Sequence, residues 1–210
     1  MIYLMEDPIA LTQEQYALAY GLASHQRREM VDNYRFEEDR KQSLCAALLL
    51  RYALRREYGL MQMPYLSYEG GKPILQGHET IHFNLSHCCR AVACAVSDRP
   101  VGVDVQDWQQ NRSSLAPRLC TAEELGYIQS ASDSDVAFAQ IWTAKESYGK
   151  YTGQGIAYDL ASVGFVQDGA ICPPEGLQME SFLFRDFALT YCGERKESIC
   201  TVSFSELTNG

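Results

Sequence analysis

Midway along the chain stands the run Val101-Gly102-Val103-Asp104-Val105-Gln106, in which valines alternate with other residues. A period of two is typical of a β-strand, so Asp104 and Gln106 are expected to face one side and the valines the other. Because the run lies near the midpoint of 210 residues, we expect it to join two halves, residues 1–103 and 104–210. A carboxylate and an amide oxygen on one face would suit magnesium, although a strand with a merely hydrated polar face has the same pattern.

The composition is that of a globular protein with a core of its own. Hydrophobic residues make up 46% of the chain and charged residues 21%, which excludes a disordered tail, a fibre or a disulfide miniprotein. The net charge is −9, so nucleic acid is not expected as the main partner. Since no apolar run approaches the roughly 18 residues that cross a bilayer, and the first residues lack the basic start of a signal peptide, we expect no membrane partner.

The cysteines indicate a reducing environment. All eight lie in otherwise apolar stretches, and none has the Cys-x-x-Cys spacing of a metal or redox motif. Free thiols of this kind are typical of a cytoplasmic protein, which is the location we expect.

Helical and extended segments follow one another along the chain. Helical patterns cover residues 12–23, 24–34, 36–58, 121–131 and 135–152. Extended patterns cover residues 2–5, 80–85, 91–97, 101–105, 163–166, 177–184, 188–192 and 199–204. Gly70-Gly71-Lys72-Pro73 indicates a turn, and Asp98-Arg99-Pro100 indicates a hairpin between two strands. This order predicts an α+β fold of two halves of similar make-up.

A second candidate segment is Phe83-Asn84-Leu85-Ser86-His87, where an extended run ends at a hydroxyl and an imidazole. Ser86 and His87 can both donate hydrogen bonds to phosphate oxygens, and a protonated histidine adds positive charge. The same residues also fit a strand end with a turn serine and a solvated histidine. The pattern alone leaves both interpretations open.

A third candidate segment is Trp142-Thr143-Ala144-Lys145-Glu146-Ser147-Tyr148-Gly149-Lys150, inside the predicted helix that ends at Gly153. Glu146 and Lys150 lie one turn apart on the same face, an arrangement that stabilises a helix surface by about 0.2–0.5 kcal/mol. The same geometry would let Glu146 hold a metal and accept a proton while Lys150 meets a phosphate. Trp142, one turn earlier, is expected to anchor this face in the core.

Taken together, these segments resemble the 4′-phosphopantetheinyl transferase superfamily, specifically its longer, surfactin-synthetase-activating type. The resemblance is carried in order by Gly71-Lys72-Pro73, Phe83-Asn84-Leu85-Ser86-His87, Val101-Gly102-Val103-Asp104 and the segment from Trp142 to Lys150. It spans most of the chain and is strongest between residues 70 and 156. It implies two α+β halves in a pseudo-twofold arrangement, with coenzyme A bound in the cleft between them, and a chain that acts as a monomer.

The resemblance also implies a reaction and the residues that carry it. The phosphopantetheine arm of coenzyme A would pass to a serine of an apo acyl- or peptidyl-carrier protein, leaving 3′,5′-ADP. Asp104 and Glu146, together with Gln106, would bind magnesium. Glu146 would also be the base for the serine hydroxyl, and Lys150 would neutralise phosphate charge or assist the leaving group. Contact with the carrier is implied for the segment after Asp107 and for the helix from residue 121.

Five residues are implied as contacts to the phosphates of coenzyme A, namely Lys72, Ser86, His87, Arg27 and Ser43, with Lys150 as a further one and His87 also among the catalytic groups. The chain departs from the family pattern at three positions, one of which is Gln42, another neutral residue in the neighbourhood of the implied phosphate contacts. Gln106 stands where an acid is often found, so it offers an oxygen without a charge. Met30 stands where a basic phosphate contact is often found.

Three other interpretations stay open. One is a non-catalytic module of the same fold that binds carrier proteins or coenzyme A. Another is a thiol enzyme that uses Cys88 or Cys89 beside His87, of which only Cys89 would share the histidine's side of an extended segment. The last is a zinc site from His78, His82 and His87 with a nearby cysteine, although a strand would not bring these side chains together.

Overall fold

The structure is a computed structural model that describes residues 1–108, 113–155 and 159–209. The chain divides into two compact units, which we call the N-terminal unit and the C-terminal unit. The N-terminal unit comprises Met1–Val96 and the final segment from Ser198, and the C-terminal unit is Ser97–Glu197. Helix and sheet occur in both, so the predicted α+β class is confirmed.

Helices and strands occur in groups along the chain. The first half holds β1 (Ile2–Glu6), α1 (Gln13–Leu22), α2 (His25–Asn33), α3 (Glu37–Tyr58), β2 (Leu66–Glu69), β3 (Lys72–Leu75), β4 (His82–His87) and β5 (Ala91–Ser97). The second half holds β6 (Val101–Asp107), α4 (Ala116–Leu119), α5 (Ala122–Ser130), α6 (Ser134–Thr152), β7 (Val166–Gln167), β8 (Ala170–Ile171), β9 (Gln178–Leu183), β10 (Phe187–Gly193), β11 (Ile199–Thr201) and α7 (Phe204–Thr208). Single 3₁₀ turns lie at Pro8–Ala10, Ser113–Leu115 and Leu160–Ser162.

The N-terminal unit is built on a sheet of strand order β11-β1-β5-β4. Helix α3 packs on this sheet and contributes a fully buried leucine stripe that includes Leu44, Leu48 and Leu49. The last residues of the chain belong to this unit because β11 pairs in parallel with β1 and Leu207 of α7 joins the same core.

The C-terminal unit is built on a sheet of strand order β6-β10-β9, against which α6 packs. The closest approach is at Gly102 of β6, where a Cβ atom would stand 1.9 Å from the backbone oxygen of Ser147 and 2.7 Å from the backbone nitrogen of Tyr151. Only a residue without a side chain allows this approach. Strand β6 and helix α6 therefore lie in direct backbone contact.

The helix boundaries predicted from the sequence are confirmed. Helices α1 and α5 begin with complete capping boxes at Thr12 and Thr121, whose hydroxyls accept from backbone amides one turn later. Helices α3 and α6 end at Gly59 and Gly153, which have φ of 68° and 77°. Glycine enters the left-handed region at little cost, so it is a favoured residue for ending a helix. Both kinds of signal therefore depend only on neighbouring residues.

Three expectations about strands are wrong. Of the strand expected at residues 163–166, only Val166 lies in a strand, the short β7. The turn at Asp98-Arg99-Pro100 does not close a hairpin, because β5 bonds to β1 and β4 whereas β6 bonds to β10. The strand expected to reach residue 204 ends at Thr201, because Ser203 and Glu206 form a capping box that starts α7. In addition, the Gly70-Gly71 turn joins β2 and β3, a hairpin of which only the turn was predicted.

The division into units also differs from the join expected after residue 103. That position lies inside β6, which pairs with β10 along its whole length, Val101 opposite Gly193 and Asp107 opposite Phe187. The complete strand therefore belongs to the C-terminal unit, and the units change between Val96 and Ser97.

Thiols and apolar helices give two further observations. All eight cysteines are in the thiol form. Burial raises the pKa of the Cys45 thiol to about 12 and that of the Cys120 thiol to about 11, so neither thiol is a ready nucleophile. Within the described ranges, no helix is both long and apolar enough to cross a membrane.

Candidate active site

In the C-terminal unit, Asp104 of β6 and Lys150 of α6 form an ion pair. The Lys150 Nζ donates to Asp104 Oδ1 at 2.7 Å and to the Val103 carbonyl oxygen at 3.1 Å. Asp104 is 6% exposed, so its carboxylate is largely withdrawn from water. The contact of α6 with β6 at Gly102 thus brings together two candidate residues that lie 46 positions apart in the chain.

Glu146 joins this pair from the turn of α6 that precedes Lys150. Burial raises the pKa of the Glu146 carboxyl, the negative charge of Asp104 raises it further, and Lys150 opposes both effects. The two carboxylates therefore sense each other's charge across the strand–helix contact. Trp142 lies one turn earlier, beside Phe138, and packs on the core between α5 and α6 as expected.

Gln106 follows Asp104 on the same face of β6 and is half-buried. Its amide nitrogen donates to the backbone oxygen of Asp107 at 2.9 Å, which orients the side chain. The neutral amide therefore adds no charge to this face of β6.

The donors in this cluster fit magnesium better than zinc. In the described part of the chain, no three His, Cys, Asp or Glu side chains converge as a metal cage, so neither His78, His82 and His87 nor their neighbouring cysteines form one. Magnesium commonly uses one or two carboxylates and takes its other ligands from water and substrate phosphates, whereas structural zinc needs four protein ligands. Asp104 and Glu146 meet the first requirement.

In the N-terminal unit, three of the predicted phosphate contacts gather around the first half of α3. The Arg27 Nη1 of α2 donates to Ser43 Oγ at 3.1 Å, and His87 Nδ1 at the end of β4 lies 2.7 Å from Gln42 Oε1. Ser43 and Gln42 are neighbours on α3, and both are buried. Gln42 was not among the predicted site residues, although its position beside Ser43 could have indicated it.

The contact with Gln42 defines the orientation of His87. Because the Gln42 oxygen accepts, His87 Nδ1 is the donor in this pairing. The Gln42 nitrogen in turn lies 3.9 Å from Cys89 Sγ. An amide thus bridges the imidazole and the thiol, so Nδ1 does not act directly on Cys89 as a catalytic base for that thiol would.

The other two predicted phosphate contacts lie on two strands of the same unit that belong to different sheets. Ser86 is buried in β4, and Lys72 is the first residue of β3 after the Gly70-Gly71 turn. Burial lowers the pKa of both the Lys72 ammonium and the Arg27 guanidinium. Cations that have lost part of their hydration are stabilised by an anionic partner, as a phosphate would be.

The C-terminal unit also holds a pair that the sequence did not reveal. Lys145, inside the third candidate segment, is 1% exposed and forms an ion pair of 2.9 Å with Glu124, which is 0% exposed. In the sequence, Glu124 stands out only as the last residue of a capping-box pattern.

Each unit therefore carries groups suited to phosphate chemistry, cations and hydrogen-bond donors in one and two acids with a lysine in the other. Such a combination is typical of an enzyme that transfers a phosphate-linked group.

Comparisons with known proteins agree with this class. Residues 10–99 match the family described as 4′-phosphopantetheinyl transferase, N-terminal, and residues 100–192 match the 4′-phosphopantetheinyl transferase superfamily. The chain is 30% identical to the 4′-phosphopantetheinyl transferase Sfp of Bacillus subtilis (strain 168), over 77% of this chain and 75% of that protein. It is 34% identical to the transferase psf-1 of Bacillus pumilus, over 66% of this chain and 61% of that protein.

Among solved structures, one match is a holo-(acyl-carrier-protein) synthase from Bacillus anthracis, in complex with CoA (3′,5′-ADP). It has 17% identity and a TM-score of 0.39, over 44% of this chain and 92% of that one.

The chain belongs to the 4′-phosphopantetheinyl transferase superfamily. The predicted family, its longer Sfp-like type and the assignment to this class of transferase are confirmed.

Proposed function

We propose that this chain moves the 4′-phosphopantetheine arm of coenzyme A onto a serine of an apo acyl- or peptidyl-carrier protein, releases 3′,5′-ADP and uses magnesium. The observation that carries the proposal is the cluster of Asp104, Glu146 and Lys150, which unites two acids and a cation from distant parts of the sequence. Membership of the superfamily supports coenzyme A and the carrier as the two substrates.

The N-terminal unit is assigned the binding of the coenzyme A phosphates. Arg27 and Ser43 already share a hydrogen bond, and His87 is held by Gln42 one residue away on the same helix. Lys72 and Ser86 add a partly dehydrated ammonium and a buried hydroxyl. Together they offer charge and donors to phosphate oxygens, which is what recognition of a phosphorylated nucleotide requires.

Glu146 is assigned the role of the base that accepts the proton of the acceptor serine hydroxyl. The serine oxygen attacks the phosphorus that carries pantetheine, a new P–O bond forms, the P–O bond to 3′,5′-ADP breaks, and the hydroxyl proton passes to the Glu146 carboxylate, directly or through a water. A carboxyl whose pKa is raised by burial and by Asp104 is a stronger base than an ordinary glutamate.

Lys150 and the metal are assigned the role of neutralising the negative charge of the pyrophosphate. Magnesium bound by Asp104 and Glu146, with Gln106, would supply charge neutralisation to the phosphate oxygens. Lys150, which already contacts Asp104 at 2.7 Å, brings a second positive charge to the same place and assists departure of 3′,5′-ADP.

The test is incubation of the chain with coenzyme A, magnesium and an apo-carrier protein, followed by intact mass of the carrier. We expect the mass to rise by one phosphopantetheine group and 3′,5′-ADP to appear in equal amount. A carrier that binds the chain but keeps its mass would instead establish the non-catalytic binding module.

Replacing Asp104 by Ala is expected to raise the magnesium concentration needed for half-maximal activity by at least about tenfold. Removal of groups that only support metal ligands costs about 10–100-fold in affinity, and a ligand should matter at least as much. Magnesium titrations of the transfer rate measure this. Asp98→Ala is the matched control, because Asp98 is exposed and its carboxylate contacts only surface groups among the described residues, Arg195 at 3.7 Å and the Ser97 hydroxyl at 3.4 Å. Equal titration curves for Asp104→Ala and wild type would remove Asp104 from the metal site.

Replacing Gln106 by Glu is expected to tighten magnesium binding by about tenfold, because a second charge on the same face of β6 strengthens the field at the cation. The same titration measures it, with Gln167→Glu at an exposed position of β7 as the control. A shift shared by both variants would reflect net charge alone, and no shift in either would mean that position 106 points away from the metal.

The oligomeric state, the location and the carrier contacts of the chain are also proposals. The chain is proposed to work as a monomer in the cytoplasm. Carrier contact is proposed for α5 and for the segment after Asp107, of which residues 109–112 lie outside the described residues.

A further inference from the structure

Lys145 directly precedes Glu146 and has the charge expected of a phosphate ligand, yet it is buried elsewhere. Its Nζ contacts Glu124 Oε2 at 2.9 Å, the Leu160 carbonyl oxygen at 2.6 Å and the Val163 carbonyl oxygen at 2.7 Å. An ammonium group has three hydrogens, so these three acceptors satisfy it completely. The side chain is 1% exposed and therefore has no route to a substrate phosphate.

Glu124 is the point at which three segments meet. One carboxylate oxygen accepts from the Thr121 backbone nitrogen at 2.7 Å and faces Lys145, and the other accepts from the Phe165 backbone nitrogen at 2.9 Å. The start of α5, the middle of α6 and the chain after residue 160 are thus joined by two buried charges.

This junction determines the rotation of α6 about its own axis. Successive helix residues point about 100° apart, so a helix that turns to release Lys145 also turns Glu146. On the side that faces the sheet, Thr143 Oγ1 lies 2.7 Å from Thr190 Oγ1, and both hydroxyls are buried. Thr190 of β10 stands opposite Asp104 of β6, so this second contact aligns α6 with the strand that pairs with the one carrying the first acid.

We propose that Lys145 and Glu124 are positioning residues whose buried ion pair fixes the rotation of α6 and thereby holds Glu146 beside Asp104. Neither residue touches the reacting atoms. The proposal deepens the proposed function and rests on it for the role of Glu146.

The test compares Lys145→Met and Glu124→Gln with the wild-type chain. Glu124→Gln keeps the side-chain shape and one oxygen for the capping contact, so it remains informative if Lys145→Met does not fold. Lys196→Met is the matched control, because this lysine is 74% exposed and lies 3.9 Å from its partner Glu180. All variants are studied at a temperature at which circular dichroism shows them folded.

Two quantities separate positioning from mere stability. Binding of Mn²⁺, followed by electron paramagnetic resonance as a substitute for magnesium, reports on the acids without any turnover. The kcat and KM for coenzyme A report on chemistry and on the phosphate contacts of the N-terminal unit. We expect Mn²⁺ affinity and kcat each to fall by about tenfold or more in both variants, with KM for coenzyme A unchanged. The double variant should be no worse than either single one.

Other results overturn the proposal. Folded variants that keep Mn²⁺ affinity and kcat, with only a lower midpoint of unfolding, would show that the ion pair serves stability alone. A higher KM for coenzyme A with unchanged Mn²⁺ affinity would show that Lys145 binds substrate. A wild-type chain without transfer activity would refute the proposed function, while loss of Mn²⁺ affinity in the variants would still support positioning. A wild-type chain that binds no Mn²⁺ would refute the metal role and the positioning role together.

Discussion

Replacing Glu146 by Gln is expected to lower kcat for phosphopantetheine transfer by at least about two orders of magnitude, the usual scale for loss of a general base. The change keeps the size of the side chain and removes the atom that would take the serine proton. It also removes one of two charges that the proposed cation would meet. Initial rates of carrier modification at saturating coenzyme A and magnesium measure the effect.

The pH dependence distinguishes a lost base from a weakened one. In the wild-type chain, burial and Asp104 raise the pKa of Glu146, so the carboxyl becomes protonated and inactive at a higher pH than an ordinary glutamate. Activity should therefore decline on the acid side and recover as the pH rises through that pKa. An amide cannot ionise, so Glu146→Gln should stay impaired at every pH.

The matched control is Glu175→Gln, at an exposed acid of the same unit. It should keep wild-type turnover. If Glu146→Gln also kept near-normal turnover, Glu146 would have no part in the chemistry, and the base would have to be sought elsewhere.

Replacing Gly102 by Ala is expected to lower the free energy of unfolding by about 3 kcal/mol or more. The added Cβ would stand 1.9 Å from the Ser147 oxygen, and because this atom and the Tyr151 nitrogen are backbone, no side chain can move aside. Helix α6 must shift away from β6, which would also separate Glu146 and Lys150 from Asp104. Chemical denaturation gives the stability, and the transfer assay gives the consequence for activity.

Gly126 offers the matching control. It is exposed within α5, and a Cβ there meets no atom within 4 Å. Gly126→Ala should therefore be neutral or stabilise the helix by about 0.5–1 kcal/mol. Equal stability of Gly102→Ala and wild type would mean that α6 and β6 are not in backbone contact.

Features set by neighbouring residues could be predicted from the sequence. The capping box at Thr121 and the terminal glycine at position 153 place the ends of helices because the groups that they satisfy lie within one turn. The capping box at Ser203 is equally local, yet the apolar residues around it also fit the end of a strand, which is why the strand was predicted to continue.

Features that depend on distant pairing could not be predicted in this way. The residues near Asp98-Arg99-Pro100 do not indicate that β5 and β6 belong to different sheets. The pairing partners of a strand depend on which whole faces become buried, and this is not a local property. Likewise, nothing in the residues around Lys145 indicates that its side chain is buried against Glu124, because the two lie on different helices.

The sequence by itself determined the family, the α+β class and the candidate residues for binding metal and phosphate. Motif spacing and local hydrogen bonding depend only on residues that are close in the sequence. The tertiary structure decided which of them meet. Asp104 pairs with Lys150 and lies within electrostatic range of Glu146 because Gly102 lets a helix lie directly on a strand. Arg27 and His87 gather because α3 presents Ser43 and Gln42 side by side. Such meetings depend on packing between segments far apart in the chain, where close contact is decided by shape and burial.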